Sequence, residues 1–310
     1  MLVTGASGFV AQALLRAKSA GRDFVAASRM TVSIDGVKWR LGPDLSESSD
    51  WRPMLEGIDA VVHLAGRVHL PSDEDPSAYF AENFEGTVRL ARDARSAGVR
   101  RFVFLSTSKV LGEESGPVPF DENAQTSPGD PYATSKLSAE RALAQIGAGM
   151  QVTILRPPLV YGPGVKANFL ALVSAVARGL PLPFAAIRNR RSLIGVENLA
   201  SAIVACLDSP ASPGRTYHVT DGVPRSTPDL VRAIASALGR PPRLFPFPST
   251  LLEACGSVVG RGDTVRRLTR SLELDDKAIR AEIGWREPKT FEDGIADTVR
   301  WYRGIAKGLG

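Results

Sequence analysis

Cysteine is nearly absent from this chain: 310 residues hold only Cys206 and Cys255. The two stand far apart and in no metal-ligand spacing. That excludes a disulfide framework and a zinc site, and it fits a reducing compartment. Cys206, in the run ASAIVACL, reads as a small buried apolar residue. Three scattered histidines offer no metal cluster either, so no metal is expected. No apolar run approaches the roughly 18–20 residues of a membrane helix. The opening MLVTGASGF has neither a basic segment nor an apolar signal core, so a cytoplasmic protein without membrane contact is expected. Internal repeats and low-complexity tracts are also missing. The net charge is +5, yet no basic stripe is interleaved with aromatics as single-strand binders require. Apart from RNRR at 188–191 and RGDTVRRLTR at 261–270 the arginines are dispersed. The excess positive charge therefore points to an anionic small molecule and away from nucleic acid.

What the chain does have is alternation. The runs MLV, DFVAAS, DAVVHLA, RFVFLST and VTILRPP are apolar without strict polar alternation, as strands buried on both faces are. Between them lie amphipathic patterns such as AQALLRAKSAG and NFEGTVRLARDARSAG, each closed by glycine. This order predicts an α/β fold with a doubly wound parallel sheet. The first strand is short, with three residues before Thr4, which suggests that the start site lacks a few residues. After about residue 165 proline and glycine become frequent, and helical patterns such as SLIGVENLASAIVACL and TPDLVRAIASALG continue. The expected division is a dinucleotide domain over 1–165, with a segment near 190–208 returning to it, and a smaller α/β substrate domain over 166–310.

TGASGFVA follows the first strand and opens a helix. Gly5, Gly8 and Ala11 have the spacing of a dinucleotide-binding turn. The first glycine allows the tight turn, the second lets backbone approach a pyrophosphate, and the third position needs a small residue. The helix N-terminus would then meet the phosphates. The second strand ends in VAASRM. An acidic residue there would favour NAD; Ser28 and Arg29 stand in its place and suit a 2′-phosphate. NADP(H) is therefore favoured, with NAD(H) the alternative.

Tyr132 and Lys136 stand four residues apart in PYATSK, on one face of a helix. An ordinary tyrosine titrates near 10. A nearby ammonium favours the phenolate, and a tyrosine so tuned can exchange a proton with a hydroxyl or carbonyl oxygen. With the glycine loop upstream and the cluster FLSTSKVLG between, the chain resembles the short-chain dehydrogenase/reductase superfamily, in its extended branch of nucleotide-sugar epimerases and dehydratases. The resemblance runs over nearly the whole chain. TGASGFV, DL at 44–45, VVHLAG at 61–66, NFEGT at 83–87, STSKVLG at 106–112, YATSK at 132–136 and RPPLVYGPG at 156–164 carry it.

The resemblance implies a Rossmann-type fold and a set of roles. Tyr132 would be the general acid/base and Lys136 its electrostatic partner, also holding cofactor ribose. Thr107 would hydrogen-bond the reacting oxygen, with Ser106 and Ser108 as rivals, Ser108 on the substrate side. Gly5, Ser7, Gly8, Phe9 and Val10 would surround the pyrophosphate, and Asp44 and Leu45 the adenine. Leu64, Ala65 and Gly66 would line the cofactor, Asn83 would support the backbone beside it, and Pro158 would pack near the nicotinamide. Asn168 and Arg191, and more weakly Arg267, would meet the nucleotide diphosphate; an arginine fork suits phosphate oxygens. The family's pairing of helices, here near 83–98 and 132–148, implies a homodimer.

The same resemblance narrows the reaction. The 4,6-dehydratases of the family carry an Asp-Glu pair straight after the catalytic threonine; here Ser108 and Lys109 follow. Dehydration is not expected. Reduction of a nucleotide-linked 4-keto sugar, as in the 4-keto-6-deoxy-HexNAc reductases of polysaccharide biosynthesis, is favoured over C4 epimerisation of a UDP-hexose. A small-ketone reductase of the same branch and a non-catalytic NADP(H) sensor remain as alternatives; the Tyr132/Lys136 pair argues against the sensor.

Overall fold

The computed structural model describes residues 1–17, 22–31, 33–68, 75–146 and 149–307. The end of the first helical pattern, at 18–21, and part of the loop after VVHLAG, at 69–74, lie outside the described residues. The described residues form nine strands: β1 (Leu2–Thr4), β2 (Val25–Ser28), β3 (Lys38–Leu41), β4 (Ala60–His63), β5 (Arg101–Leu105), β6 (Gln151–Arg156), β7 (Leu159–Tyr161), β8 (Leu193–Gly195) and β9 (Thr216–His218). The helices of the first half are α1 (Phe9–Arg16), α2 (Arg52–Leu55), α3 (Pro76–Tyr79), α4 (Gly86–Ser96) and α5 (Pro131–Ile146). Those of the second half are α6 (Ala167–Ala177), α7 (Val196–Asp208), α8 (Thr227–Ala237), α9 (Ser249–Val258), α10 (Gly262–Thr269), α11 (Lys277–Glu282) and α12 (Phe291–Lys307).

Seven strands form one sheet in the order β3-β2-β1-β4-β5-β6-β9, and every pairing in it is parallel. The expected doubly wound sheet is therefore present, with its reversal of order between β1 and β4. Both faces are covered. Val3, Val62, Val103 and Leu155 pack against α1 and α7 through Leu14, Leu15, Leu199 and Ile203. Leu2, Val61, Phe102 and Ile154 face the other way, onto Trp51, Leu90, Ala94 and Leu143. Burial on both faces explains why these runs are apolar without alternation. The α4 helix ends as its sequence predicts: Gly98 lies at φ +80°, and the N–H groups of Gly98 and Val99 return to the carbonyls of Arg95 and Ala94.

Three elements differ from the sequence expectation. β3, KWRL, is an edge strand whose residues are exposed or half-buried, so it carries no apolar signature. SLIG is not helical: β8 ends at Gly195 and pairs with β7, and α7 starts only at Val196. The return of the chain also reaches further than 208, because β9 completes the large sheet beside β6. The second core lies beyond this sheet, where α6, α8 and α12 bury Phe169, Val173, Ile234, Ile295 and Val299 together. α8 begins with a capping box, Ser226 and Asp229 exchanging hydrogen bonds, with a proline in its first turn. Among the described residues no helix is long and apolar enough to cross a membrane.

Candidate active site

The site gathers at the C-terminal ends of β1, β4, β5 and β6. Gly5 follows β1 at φ +65°, and a Cβ there would sit 2.7 Å from the backbone of Ala65, just after β4. Only glycine fits both the turn and this approach. Gly8 caps α1 without any side-chain hydrogen bond, and a Cβ on it would meet the Gly5 carbonyl at 2.9 Å. The first N–H groups of α1 thus open onto the loop, as an anion site requires. Ser7 is exposed beside them. Val10 packs into the core under the sheet, while the Phe9 ring lies 3.3 Å from the Cβ position of Gly164 and joins the second core. Side-chain contact thus ties Phe9 to the small domain; only its backbone belongs to the loop.

Next to this turn a chain of hydrogen bonds fixes the end of β4. Thr4 Oγ1 meets His63 Nδ1 at 2.7 Å and accepts from the Ala65 N–H at 3.2 Å; His63 Nε2 meets Thr87 Oγ1 at 2.9 Å. Burial, helped by Lys136, pushes His63 down to about 3, so the ring stays neutral. Asn83 grips the following residues. Its Oδ1 accepts from the Arg67 N–H at 2.7 Å, and its Nδ2 donates to the Arg67 carbonyl and to Ser135 Oγ at 3.0 and 3.1 Å. A Cβ on Gly66 would strike Asn83 Oδ1 at 2.8 Å. Asn83 sits in a π-helical turn, Phe80–Glu85, a rare geometry that recurs at functional sites. Leu64 completes this wall, half-buried against the core.

The far end of the cleft holds the pair after β2. Ser28 is buried, donating to the Met30 carbonyl and accepting from Trp39 Nε1. Its hydroxyl is therefore engaged, and Arg29 is the exposed member, its guanidinium 3.5 Å from the Asp44 carboxylate. Leu45 lies against Gly86, where a Cβ would meet Leu45 backbone at 2.8 Å.

α5 brings the acid/base candidates together. Asp130 Oδ1 accepts from the Ala133 N–H at 2.7 Å, holding the helix start that carries Tyr132. The Tyr132 phenol is hydrogen-bonded with Thr107, and its ring stands edge-on to Tyr79 at 6.2 Å. Of the three hydroxyls after β5, Thr107 alone meets Tyr132. Ser106 Oγ turns to Glu140, and Ser108, buried, gives its N–H to the Pro157 carbonyl at 2.9 Å. Pro158, buried, follows directly.

The expected electrostatics of the pair differ from the finding. Lys136 is buried at 5% exposure, its Nζ 4.0 Å from the centre of the Phe104 ring. Burial pushes it down to about 7, opposed by Glu140. Burial, Asp130 and Tyr79 push the Tyr132 phenol up to about 12, and only Thr107 opposes them. The phenol is thus held protonated at neutral pH.

Glu113 and Asp130, which the sequence reading missed, complete the site with Lys109, which it named only as a departure from the dehydratase pattern. Lys109 Nζ bonds the Asp130 carboxylate, lies 3.0 Å from Glu113 Oε1, and stands 6.0 Å from the Tyr132 ring centre. An aspartate directly before PYATSK, at the helix start, was the available signal for Asp130. From the second half, Arg267 Nε approaches Glu113 Oε2 at 3.6 Å. Arg191 is held by its Nη1 on the Arg270 carbonyl at 3.0 Å; burial and Arg267 push it down to about 10 while Glu113 opposes. Asn168 is exposed at the start of α6 and follows Ala167, whose φ of 53° is strained for a residue with a side chain. No contact described here joins it to the arginines.

Residues 1–220 match the model of the NAD dependent epimerase/dehydratase family. The chain belongs to that family. It is therefore an enzyme of the nucleotide-sugar epimerase/dehydratase group, with the extended short-chain dehydrogenase/reductase fold. It is 37% identical to a UDP-glucose 4-epimerase of Vibrio cholerae over 310 aligned residues, covering 97% of this chain and 94% of that one. A UDP-glucose 4-epimerase of Mycolicibacterium smegmatis is 29% identical, over 97% and 98% of the two chains. Among solved structures, MoeE5 in complex with UDP-glucose and NAD superposes with a TM-score of 0.79 at 26% identity, over 100% of this chain and 99% of that one. The glycine turn, the uncapped start of α1 and the Gly66 wall fit a dinucleotide, which would supply or accept a hydride when bound.

Proposed function

We propose that this enzyme is a 4-ketoreductase acting on a nucleotide-linked sugar, in first place a UDP-linked 4-keto sugar made for polysaccharides. The observation that carries the reading is the exposed Arg29 guanidinium, which suits a consumed NADPH, at the cofactor end of a site whose Tyr132 phenol is hydrogen-bonded with Thr107. A ketone undergoing reduction needs a proton on its oxygen, and a neutral phenol donates one. Thr107 shares that oxygen and orients it. Lys136, beneath Gly66 and Asn83, belongs to the wall that a ribose would meet. The place that an acidic pair would need for dehydration is filled by Ser108, and by Lys109 with its ammonium on Asp130 and Glu113. Arg191 and Arg267 would take the diphosphate, with Asn168 at the edge. Arg29, exposed and with one long contact to Asp44, supports NADP(H); NAD(H) is the alternative. A homodimer through α4 and α5 follows the family's habit.

A second reading, C4 epimerisation of a UDP-hexose, is favoured by the Vibrio cholerae relative. There Tyr132 would have to begin as a base. Absorbance at 340 nm separates the two. Stoichiometric oxidation of NADPH or NADH by a UDP-4-keto-6-deoxy-HexNAc supports the reductase. Interconversion of C4 epimers of UDP-glucose or UDP-GlcNAc without net absorbance change replaces it by the epimerase.

A further inference from the structure

Glu113 has a partner set that the proton chemistry does not explain. Its two carboxylate oxygens divide between Lys109 Nζ, at 3.0 Å, and Arg267 Nε, at 3.6 Å, and its charge also favours the cationic form of Arg191. Two cations from different parts of the chain thus share one carboxylate, Lys109 after β5 and Arg267 on α10, with the Arg191 guanidinium within its electrostatic reach. The frame around Glu113 is rigid. Gly112 precedes it at φ +136°, a conformation that side chains rarely adopt. Ser115 N–H bonds the Ser271 carbonyl at 3.1 Å, and Glu273 N–H bonds Ser115 Oγ at 2.9 Å, so 113–115 is clamped to the strand-like segment after α10. The Glu113 side chain is nevertheless 45% exposed. A carboxylate anchored by its backbone but open to water at its tip can turn aside without unfolding anything.

We propose that Glu113 is a built-in competitor for the substrate's diphosphate and sets the enzyme's preference for a diphosphate over a monophosphate. The inference rests on the proposed role of Arg191 and Arg267. A single carboxylate keeps the cluster from standing as unpaired, partly desolvated cations, which is costly. An incoming anion must outbid it. A diphosphate carries more charge and more acceptor oxygens than a carboxylate and can engage both guanidinium forks. A monophosphate offers one group and displaces the carboxylate poorly. Lys109 keeps Asp130 as its counter-ion when Glu113 leaves, so the Tyr132 end of the site is not disturbed by the exchange.

The test is calorimetric binding of UDP and of UMP to the full chain, wild type, E113Q and E113D. E113Q is expected to tighten UDP by about threefold and UMP by about tenfold, the scale of one partly exposed charge pair, so that the preference for the diphosphate shrinks; equal gains for both would overturn the role in preference. E113D, which keeps the charge, is expected to stay close to wild type. Dinucleotide affinity is expected to be unchanged, and the KM for the nucleotide sugar is expected to fall. If wild type binds UDP and E113Q binds it equally or more weakly, Glu113 is an ordinary structural ion pair and the competitor is overturned while the nucleotide reading stands. If neither wild type nor E113Q binds UDP, while the dinucleotide still binds, both fall together.

Discussion

One helical turn beyond Lys136, the Glu140 carboxylate accepts two hydrogen bonds from the Arg156 guanidinium, at 2.6 and 3.1 Å, and a third from Ser106 Oγ. The pair joins the middle of α5 to the end of β6 and is buried on both sides, at 5% and 9% side-chain exposure. It is the frame that keeps Lys136 in register with β5. Removing one partner strands the other charge in the interior. E140Q is expected to lose ~3–5 kcal/mol of stability, whereas the doubly apolar E140M/R156M keeps most of it. Thermal melts of the three proteins check this; equal melting temperatures would falsify a structural role for the pair.

In the proposed reaction Tyr132 and Thr107 act on the same oxygen. Y132F is expected to abolish turnover while leaving dinucleotide affinity unchanged. T107V is expected to lose about 10²–10³-fold in kcat, the usual worth of one oriented hydrogen bond at a reacting oxygen. Fluorescence titration with the dinucleotide, beside turnover assays, separates chemistry from binding. Full activity in Y132F would remove Tyr132 from the reaction.

The proposed preference for NADP(H) rests on one exposed guanidinium, that of Arg29. R29A is expected to lower the preference for NADPH over NADH by about tenfold, as one charged contact is worth 1–3 kcal/mol at most. Wild type that prefers NADH, with R29A unchanged, would show that Arg29 is only a partner of Asp44.

Gly66 faces Asn83 so closely that an added methyl has no place. G66A is expected to weaken dinucleotide binding, because Asn83 must release the Arg67 backbone to make room. G66A with N83S should recover part of that loss. A G66A protein that binds as wild type does would mean that this wall lies away from the cofactor.

His63 makes the fold acid-sensitive. It is buried neutral with a value near 3, against 6.5 when exposed. The unfolded chain therefore binds a proton below 6.5 that the native state refuses until about 3. Stability falls with pH through that window, by about 2 kcal/mol between pH 6.5 and 5. Urea midpoints at pH 7 and pH 5 measure the drop. H63Q should lack this part of it, and equal slopes in both proteins would assign the sensitivity to other groups.

Much of this was legible before any coordinates. The runs that became β1, β2, β4, β5 and β6 are buried on both faces, so composition alone marked them. TGASGFV marked the turn because a glycine needed for close approach has no substitute. What escaped was either exposed or made by distance. β3 is an edge strand with polar, exposed residues, and β9 has only three residues; neither carries a periodic signal. Glu113 with Arg267, and Glu140 with Arg156, are partners that only the folded chain brings together. The electrostatics of Tyr132 also escaped. A lysine one turn away suggests a lowered phenol, but burial, Asp130 and Tyr79 push the Tyr132 phenol up.

The return of the chain through α7 to β9 has a consequence for how the protein is made. A ribosome delivers the first six strands of the large sheet well before its seventh. Until residue 208 has emerged, the apolar side of β1, β4 and β5 has α1 but not α7 to cover it, and until residue 218 has emerged β6 remains an open edge. Neither half is a finished object that could be exchanged between relatives by a single splice near residue 165. Recombination that respects this architecture must carry two junctions, one on each side of the returning segment.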